Sequence, residues 1–190
     1  IHTEGRLAGV LLDKARSTCA TALNAHSYEI YFMSSGTESC NTAIYGVYEG
    51  YIKRNKGKIP HMIVSVIEHP SILEPVRDLE RRGNITVTYL PVYDNGIIKV
   101  RDMEEALTEE TILVSVMYVN NEIGTVQPVK EVGRVLESWK KDKERSHTEY
   151  PYFHTDACQA ANYYNLDVVR LRAHLMTVNG GKVYGGKGSA

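Results

Sequence analysis

Apolar positions recur along the chain with two periods, one helical and one strand-like. Leu7, Val10, Leu11, Ala15, Cys19, Ala22 and Leu23 stand three and four apart, which predicts an amphipathic helix over residues 4–24. The short apolar and aromatic run Ile30, Tyr31, Phe32, Met33 predicts a strand. It empties into Ser34-Ser35-Gly36-Thr37-Glu38-Ser39, after which Ala43, Ile44, Val47 and Tyr48 resume helical spacing, so this segment reads as strand, turn and helix. The alternation continues with a strand over 61–65, a helix over 70–82 carrying Ile72, Leu73, Val76 and Leu79 on one face, and a strand over 86–90 that stops before Pro91. Asp94-Asn95-Gly96 marks a turn, and residues 100–107 predict a short helix. The most apolar stretch, 112–117, suits a central strand covered on both faces. Pro128 opens a helix whose buried stripe is Val129, Val132, Val135, Leu136 and Trp139, and the charge run 140–145 is its solvated end. Strands over 152–155 and 175–178 complete the series. Strands alternating with helices predict one α/β domain, a three-layer α/β/α sandwich around a mostly parallel sheet.

In such sheets ligands sit beyond the carboxyl ends of the strands. Residues with chemistry fall there five times: Gly36 and Thr37, Glu68 and His69, Asn120-Asn121-Glu122, Asp156 with Gln159, and Lys182. The turn at Gly36 and Thr37 opens a helix, and a helix start offers free N–H donors to an anion; the plainer alternative is a Ser/Thr cap without ligand.

Composition narrows the classes. The chain has 190 residues and a formal net charge of −1, with no basic stripe, and its 13 tyrosines are scattered, so no nucleic-acid partner is expected. No apolar run is long enough to span a membrane, and the expectation is a cytoplasmic protein without a membrane partner. Cys19, Cys40 and Cys158 are odd in number and lack C-x-x-C spacing, which suggests neither a disulfide framework nor zinc; His154-x-Asp156 has no third ligand, so no metal is expected. The chain starts at Ile1 and stops in a glycine loop, and it is expected to be an internal fragment. Residues 1–190 would then be part of a large domain whose beginning, and a C-terminal small domain, lie outside it.

The stretch 175–190, Leu-Met-Thr-Val-Asn-Gly-Gly-Lys-Val-Tyr-Gly-Gly-Lys-Gly-Ser-Ala, is the centre of the problem. Gly181-x-x-x-x-Gly186-Lys187 fits most of a phosphate-loop pattern, but Gly188 stands where Mg²⁺ needs a hydroxyl. The loop can also be a plain glycine turn. A third chemistry uses Lys182 as an amine for an aldehyde cofactor. Pyridoxal phosphate needs that amine, a carboxylate to keep its ring nitrogen protonated and an anion site for its phosphate, and Lys182, Asp156 and the Gly36–Thr37 helix start supply one each. His69 could lie against a ring or shuttle a proton.

Ser34-Ser35-Gly36-Thr37-Glu38-Ser39, Glu68-His69, Val119-Asn120-Asn121-Glu122-Ile123-Gly124, His154-x-Asp156-Ala157-x-Gln159 and Gly180-x-Lys182-x-Tyr184-Gly185-x-Lys187-Gly188 together resemble the NifS/IscS-type cysteine desulfurases of the class V aminotransferase fold. The resemblance implies the large domain of a fold type I pyridoxal 5′-phosphate enzyme. It would convert L-cysteine to L-alanine and deliver persulfide sulfur to an acceptor or an iron–sulfur scaffold protein, as a homodimer. It implies Lys182 as the Schiff-base lysine, His69 stacked on the ring, Asp156 at the ring nitrogen and Gln159 at the phenolic oxygen. Gly36 and Thr37 would hold the phosphate, and Asn121 would lie near the substrate carboxylate. Asn179-Gly180-Gly181-Lys182 stands where the family commonly has Ser-x-His-Lys: Asn179 can still donate to phosphate, whereas Gly181 has no side chain. Ser35 stands where glycine is usual. Lys187 is a minor candidate for the lysine. The cysteine that takes the sulfur and an arginine for the substrate carboxylate are expected beyond Ala190, so the chain alone is expected to be inactive. A selenocysteine lyase or another class V enzyme, and a phosphate-loop nucleotide binder, are the alternatives.

Overall fold

A computed structural model of the chain describes residues 2–186 and 188–190, so the Lys187 candidate lies outside the described residues. Five strands, β1 (His61–Ser65), β2 (Thr86–Leu90), β3 (Thr111–Ser115), β4 (Tyr152–Asp156) and β5 (Leu175–Thr177), pair in parallel in the order β2-β1-β3-β4-β5. The helices are α1 (Thr3–Leu23), α2 (Gly36–Arg54), α3 (Pro70–Arg81), α4 (Val100–Glu105), α5 (Val129–Asp142) and α6 (Val168–Leu171). Every residue of β1 is buried, because both faces of the sheet are covered. Met62 and Val64 meet Ile44 and Val47 of α2 and Ile72 and Val76 of α3, while Ile63 between them points into the other core with Met103, Val132, Leu136 and Leu171. Each such aliphatic side chain contributes about 1.5–3 kcal/mol on burial. The strand order reverses between β1 and β3, which opens a crevice beyond their carboxyl ends.

Three expectations differ from the fold. Residues 30–33 form no strand of the sheet; this extended run pairs instead with Ala190, whose N–H and C=O meet Met33 at 3.0 and 2.8 Å. The apolar stripe of α1 is solvent-facing: Leu7, Val10 and Leu11 are exposed, and only Ala20 of the helix is buried. Helical spacing reports an apolar face but not what covers it. In α5, Val129, Val132 and Leu136 are buried as expected, but Trp139 is only half-buried beneath the Arg145 guanidinium, and Lys140 takes the buried position.

Gly133 sets the distance between α5 and α6. A Cβ there would come within 2.5 Å of the Leu171 carbonyl, a backbone atom that cannot rotate away. Gly133→Val is therefore expected to destabilise the protein by about 1–3 kcal/mol. A denaturant midpoint unchanged from the parent would show that α6 shifts freely.

Candidate active site

The first turn of α2 is built by local hydrogen bonds. The Ser35 hydroxyl accepts the Glu38 N–H at 3.1 Å, and Glu38 in turn accepts the Ser34 N–H and hydroxyl at 2.6 and 2.7 Å. The Ser34 hydroxyl, with its backbone N–H, holds the Glu38 carboxyl below its usual range. Gly36 and Thr37 thus begin a helix of 19 residues whose aligned dipoles favour an anion. Gly36 lies so close to the segment after β5 that a Cβ would meet Asn179 Nδ2 at 3.1 Å and Cys158 Sγ at 3.2 Å.

His69 caps α3, with Pro70 at the first helical position. Its Nδ1 accepts the Ser71 N–H at 3.1 Å and lies 2.8 Å from the Ser71 hydroxyl, which leaves Nε2 to carry the ring proton. Glu68 beside it is buried. Its Oε1 accepts from the Ser65 hydroxyl at 2.5 Å and the Met117 N–H at 2.7 Å, tying the end of β1 to the segment after β3, while Oε2 has no partner. Burial pushes the Glu68 carboxyl up to about 8, against the opposing effect of these two donors.

Asp156 ends β4. Its Oδ1 accepts the Cys158 N–H at 2.9 Å, and the Cys40 thiol lies 3.8 Å from Oδ2. Among the described residues no basic side chain forms a salt bridge with this buried carboxylate. Burial, then Asp156, pushes the Cys40 thiol up to about 12, and the same two causes raise Cys158. Both stay protonated, as S–H groups rather than nucleophiles. Behind them His154 is fully buried and held neutral, pushed down to about 4 chiefly by burial, with Nδ1 2.9 Å from the Ser115 hydroxyl and Nε2 3.1 Å from that of Thr177.

After β5, the Asn179 side chain caps a 3-10 turn, Gly180–Lys182, by accepting the Gly181 N–H at 2.9 Å. The Lys182 backbone is fixed by its N–H to Asn179 O at 3.0 Å and by Asn162, whose side-chain amide donates to Lys182 O at 2.6 Å. Among the described residues that follow, Val183, Tyr184 and Gly188 lie in turns.

One recess of about 120 Å³ gathers Gly36, Thr37, His69, Asn121, Asp156, Gln159, Asn179 and Lys182. Of the residues expected to hold the cofactor or substrate, Gly181 does not line it, its amide being engaged by Asn179, and Glu68, Asn120 and Glu122 of the strand-end set lie outside it too. Ser71, Met117, Val119 and Cys158 complete the wall and were not anticipated. Ser71 was legible in principle, two residues past a histidine that precedes a helix-opening proline. Asn120 is buried with its side chain on Ile67 O and on the N–H groups of Glu122 and Ile123, so it shapes the loop and leaves Asn121 to face the recess. No group of three His, Cys, Asp or Glu among the described residues is placed to hold a metal ion. No helix among them is long and apolar enough to cross a membrane.

The residues fit pyridoxal phosphate on three independent observations. A buried carboxylate has no salt-bridge partner among the described residues, a glycine-opened helix start borders the same recess, and a lysine lines it as well. Comparison with known proteins agrees. The chain is 44% identical over 174 residues to the cysteine desulfurase IscS of Clostridium botulinum (strain Hall), covering 92% of this chain and 40% of that protein. It is 42% identical over 187 residues to a cysteine desulfurase of Homo sapiens, covering 98% and 38%. Among solved structures it is similar to a NifS-like protein (TM-score 0.87, 33% identity, 99% of this chain and 48% of that one) and to SspA in complex with cysteine (TM-score 0.86, 34% identity, 100% and 50%). The chain spans about 40% of the length of these curated relatives. The aminotransferase class-V family matches residues 1–189, and the chain belongs to that family.

Proposed function

We propose that this chain forms the cofactor-binding part of a pyridoxal-phosphate-dependent cysteine desulfurase. The enzyme would take the sulfur of L-cysteine onto a thiol elsewhere in the whole protein, release L-alanine and pass the sulfur to an acceptor, including scaffolds for iron–sulfur assembly. The observation that carries the reading is the convergence of Lys182, Asp156 and the start of α2 on one recess. The relatives named as cysteine desulfurases, and a similar structure described with cysteine bound, support the substrate.

Pyridoxal phosphate supplies an aldehyde for amines and a ring that accepts electrons from a substrate α-carbon. The chain's own residues do the rest. The Gly36 and Thr37 N–H groups, the Thr37 hydroxyl and the Asn179 amide would hold the phosphate. The Asp156 carboxylate, with no salt-bridge partner among the described residues, would keep a proton on the ring nitrogen. His69, its Nδ1 fixed by Ser71, would pack against the ring, and Gln159 would donate to the phenolic oxygen. Lys182 would offer its Nζ to the aldehyde and, once displaced by the substrate amine, move the α-carbon proton, with Asn121 near the substrate carboxylate. The second phosphate contact expected of a longer side chain at Gly181 is missing, and a homodimer partner is where the reading looks for its replacement.

Borohydride reduction of the cofactor-loaded full-length protein is expected to leave the pyridoxyl mass on the peptide carrying Lys182. Mass on the Lys187 side of that peptide would sink the assignment. With L-cysteine, alanine should form in step with transferable sulfur; release of selenide from selenocysteine without desulfuration of cysteine would move the reading to a selenocysteine lyase.

A further inference from the structure

At the opposite end of the sheet from the recess, the last turn of α5 buries a lysine without a carboxylate. Lys140 is 2% exposed, and among the described residues it forms no salt bridge. Its Nζ donates to the His147 carbonyl at 3.0 Å and lies 3.1 Å from Nε2 of His174, whose ring stacks on His147 with centroids 4.4 Å apart.

The proton inventory of His174 is fixed by its other nitrogen. Nδ1 accepts the Phe153 N–H at 3.1 Å, so in the neutral ring the proton sits on Nε2. Nε2–H is then a donor and faces Lys140 Nζ at 3.1 Å and His147 O at 3.2 Å. An ammonium opposite a ring N–H sets donor against donor. A neutral amine satisfies every contact: its lone pair accepts from Nε2–H, and one N–H donates to His147 O.

The charged groups around Lys140 do not reverse this. Glu137 on α5 is paired with Arg172 at 2.5 Å, and Glu149 in the loop before β4 accepts the Ser146 N–H at 2.5 Å. Arg145 opposes a second cation, and the Tyr152 ring centroid is 5.6 Å from Nζ. Burial outweighs the attraction of Glu149 and Glu137 and pushes Lys140 down to about 8; burial and Lys140 itself push His174 down to about 3. Lys140 also lines a recess of about 440 Å³ with Lys141, Arg145, His147, Glu137 and Glu144, which is roomy enough to bring a small reagent to its Nζ.

We propose that the His174 Nε2–H favours the neutral amine of Lys140 over its ammonium and that the adjoining recess is an acylation site for small acyl phosphates. The amine lone pair forms the new N–C bond, the bond from the acyl carbon to the phosphate oxygen breaks, and phosphate leaves with its electron pair. The proton shed by nitrogen goes to the phosphate or to water. The resulting amide keeps one N–H for His147 O, and His174 Nε2–H turns to the same carbonyl. No oxidant or reductant is needed, and the site is independent of the cofactor reading.

The test uses the full-length protein with acetyl phosphate, mapping acetyl-lysines by mass spectrometry from about pH 6.5 to about pH 10.5, up to the ordinary lysine range. The Lys140 rate should level off near pH 8. Near pH 7.5 it should exceed that of Lys141 by about ten-fold, since about a quarter of Lys140 is then neutral against about a thousandth of an ordinary lysine, the excess being tempered by its lower basicity. In His174→Gln, an amide oxygen can accept from the ammonium, so the Lys140 rate near pH 7.5 should fall several-fold and its rise should move to higher pH, while burial still holds it below the ordinary lysine range. Unchanged labelling of Lys141 reports an intact fold in that variant. A parent Lys140 that stays unlabelled while Lys141 reacts, or that climbs with pH alongside Lys141, overturns the proposal without any variant.

Discussion

Asp156→Asn should slow turnover of L-cysteine by about a hundred-fold or more while leaving the cofactor attached to Lys182. The asymmetry follows from the two jobs of the carboxylate. Oδ1 accepts the Cys158 N–H, and an asparagine oxygen can do the same, so the turn after β4 should keep its shape. The second job, on the proposed function, would be to hold a proton on a ring nitrogen, and a neutral amide cannot stabilise that cation as a carboxylate does. The ring then draws electrons poorly from the α-carbon. The readouts are alanine formation and the pyridoxyl mass on Lys182 after reduction. Turnover near that of the parent, with the label in place, would remove Asp156 from the chemistry.

Glu68→Gln should make the protein more stable at neutral and alkaline pH. Burial raises the Glu68 carboxyl from 4.5 to about 8, so between those values the folded state keeps a proton that the unfolded state has released. Stability from this group is fully present below about pH 4.5 and is lost as pH rises to about 8. Integrated over that window the loss is about 4–5 kcal/mol, as an order of magnitude. A glutamine has nothing to release, and its oxygen can still accept from Ser65 and the Met117 N–H. Denaturant midpoints of parent and variant should lie close together near pH 4.5, and the variant should lead near pH 8. A constant offset between them across that range would mean that Glu68 does not titrate there.

The sheet was readable because its strands are buried on both faces: runs such as Met62-Ile63-Val64 and Ile112-Leu113-Val114 need no partner information to be recognised. The candidate site was readable for a related reason, since a parallel sheet sends all its strand ends to one side, and the polar residues after β1, β3, β4 and β5 could only converge there. What escaped depends on neighbours. The apolar spacing of α1 is genuine, yet its Leu7, Val10 and Leu11 face solvent. Residues 30–33 have the composition of a strand and no sheet strand to pair with. Lys140 stood at the head of a charge run and read as solvated, because the histidines that desolvate it come 7 and 34 residues later. Nothing in the spacing of Cys158 foretold that the fold would set it against Gly36.

That last approach has a consequence for the order in which the molecule is assembled. The candidate site is closed by contacts between its earliest and latest segments: Ser39 touches Thr177 across 138 residues, and Cys40 reaches Asp156 across 116. Such contacts need a large loop to close before they return any energy. The helix start and the lysine turn are therefore expected to meet after the intervening strands have found their places, with the recess forming late. A ligand that bridges Gly36 and Lys182 acts as a clasp on the whole circuit, favouring the finished fold over every partly folded chain in which those two ends are still apart.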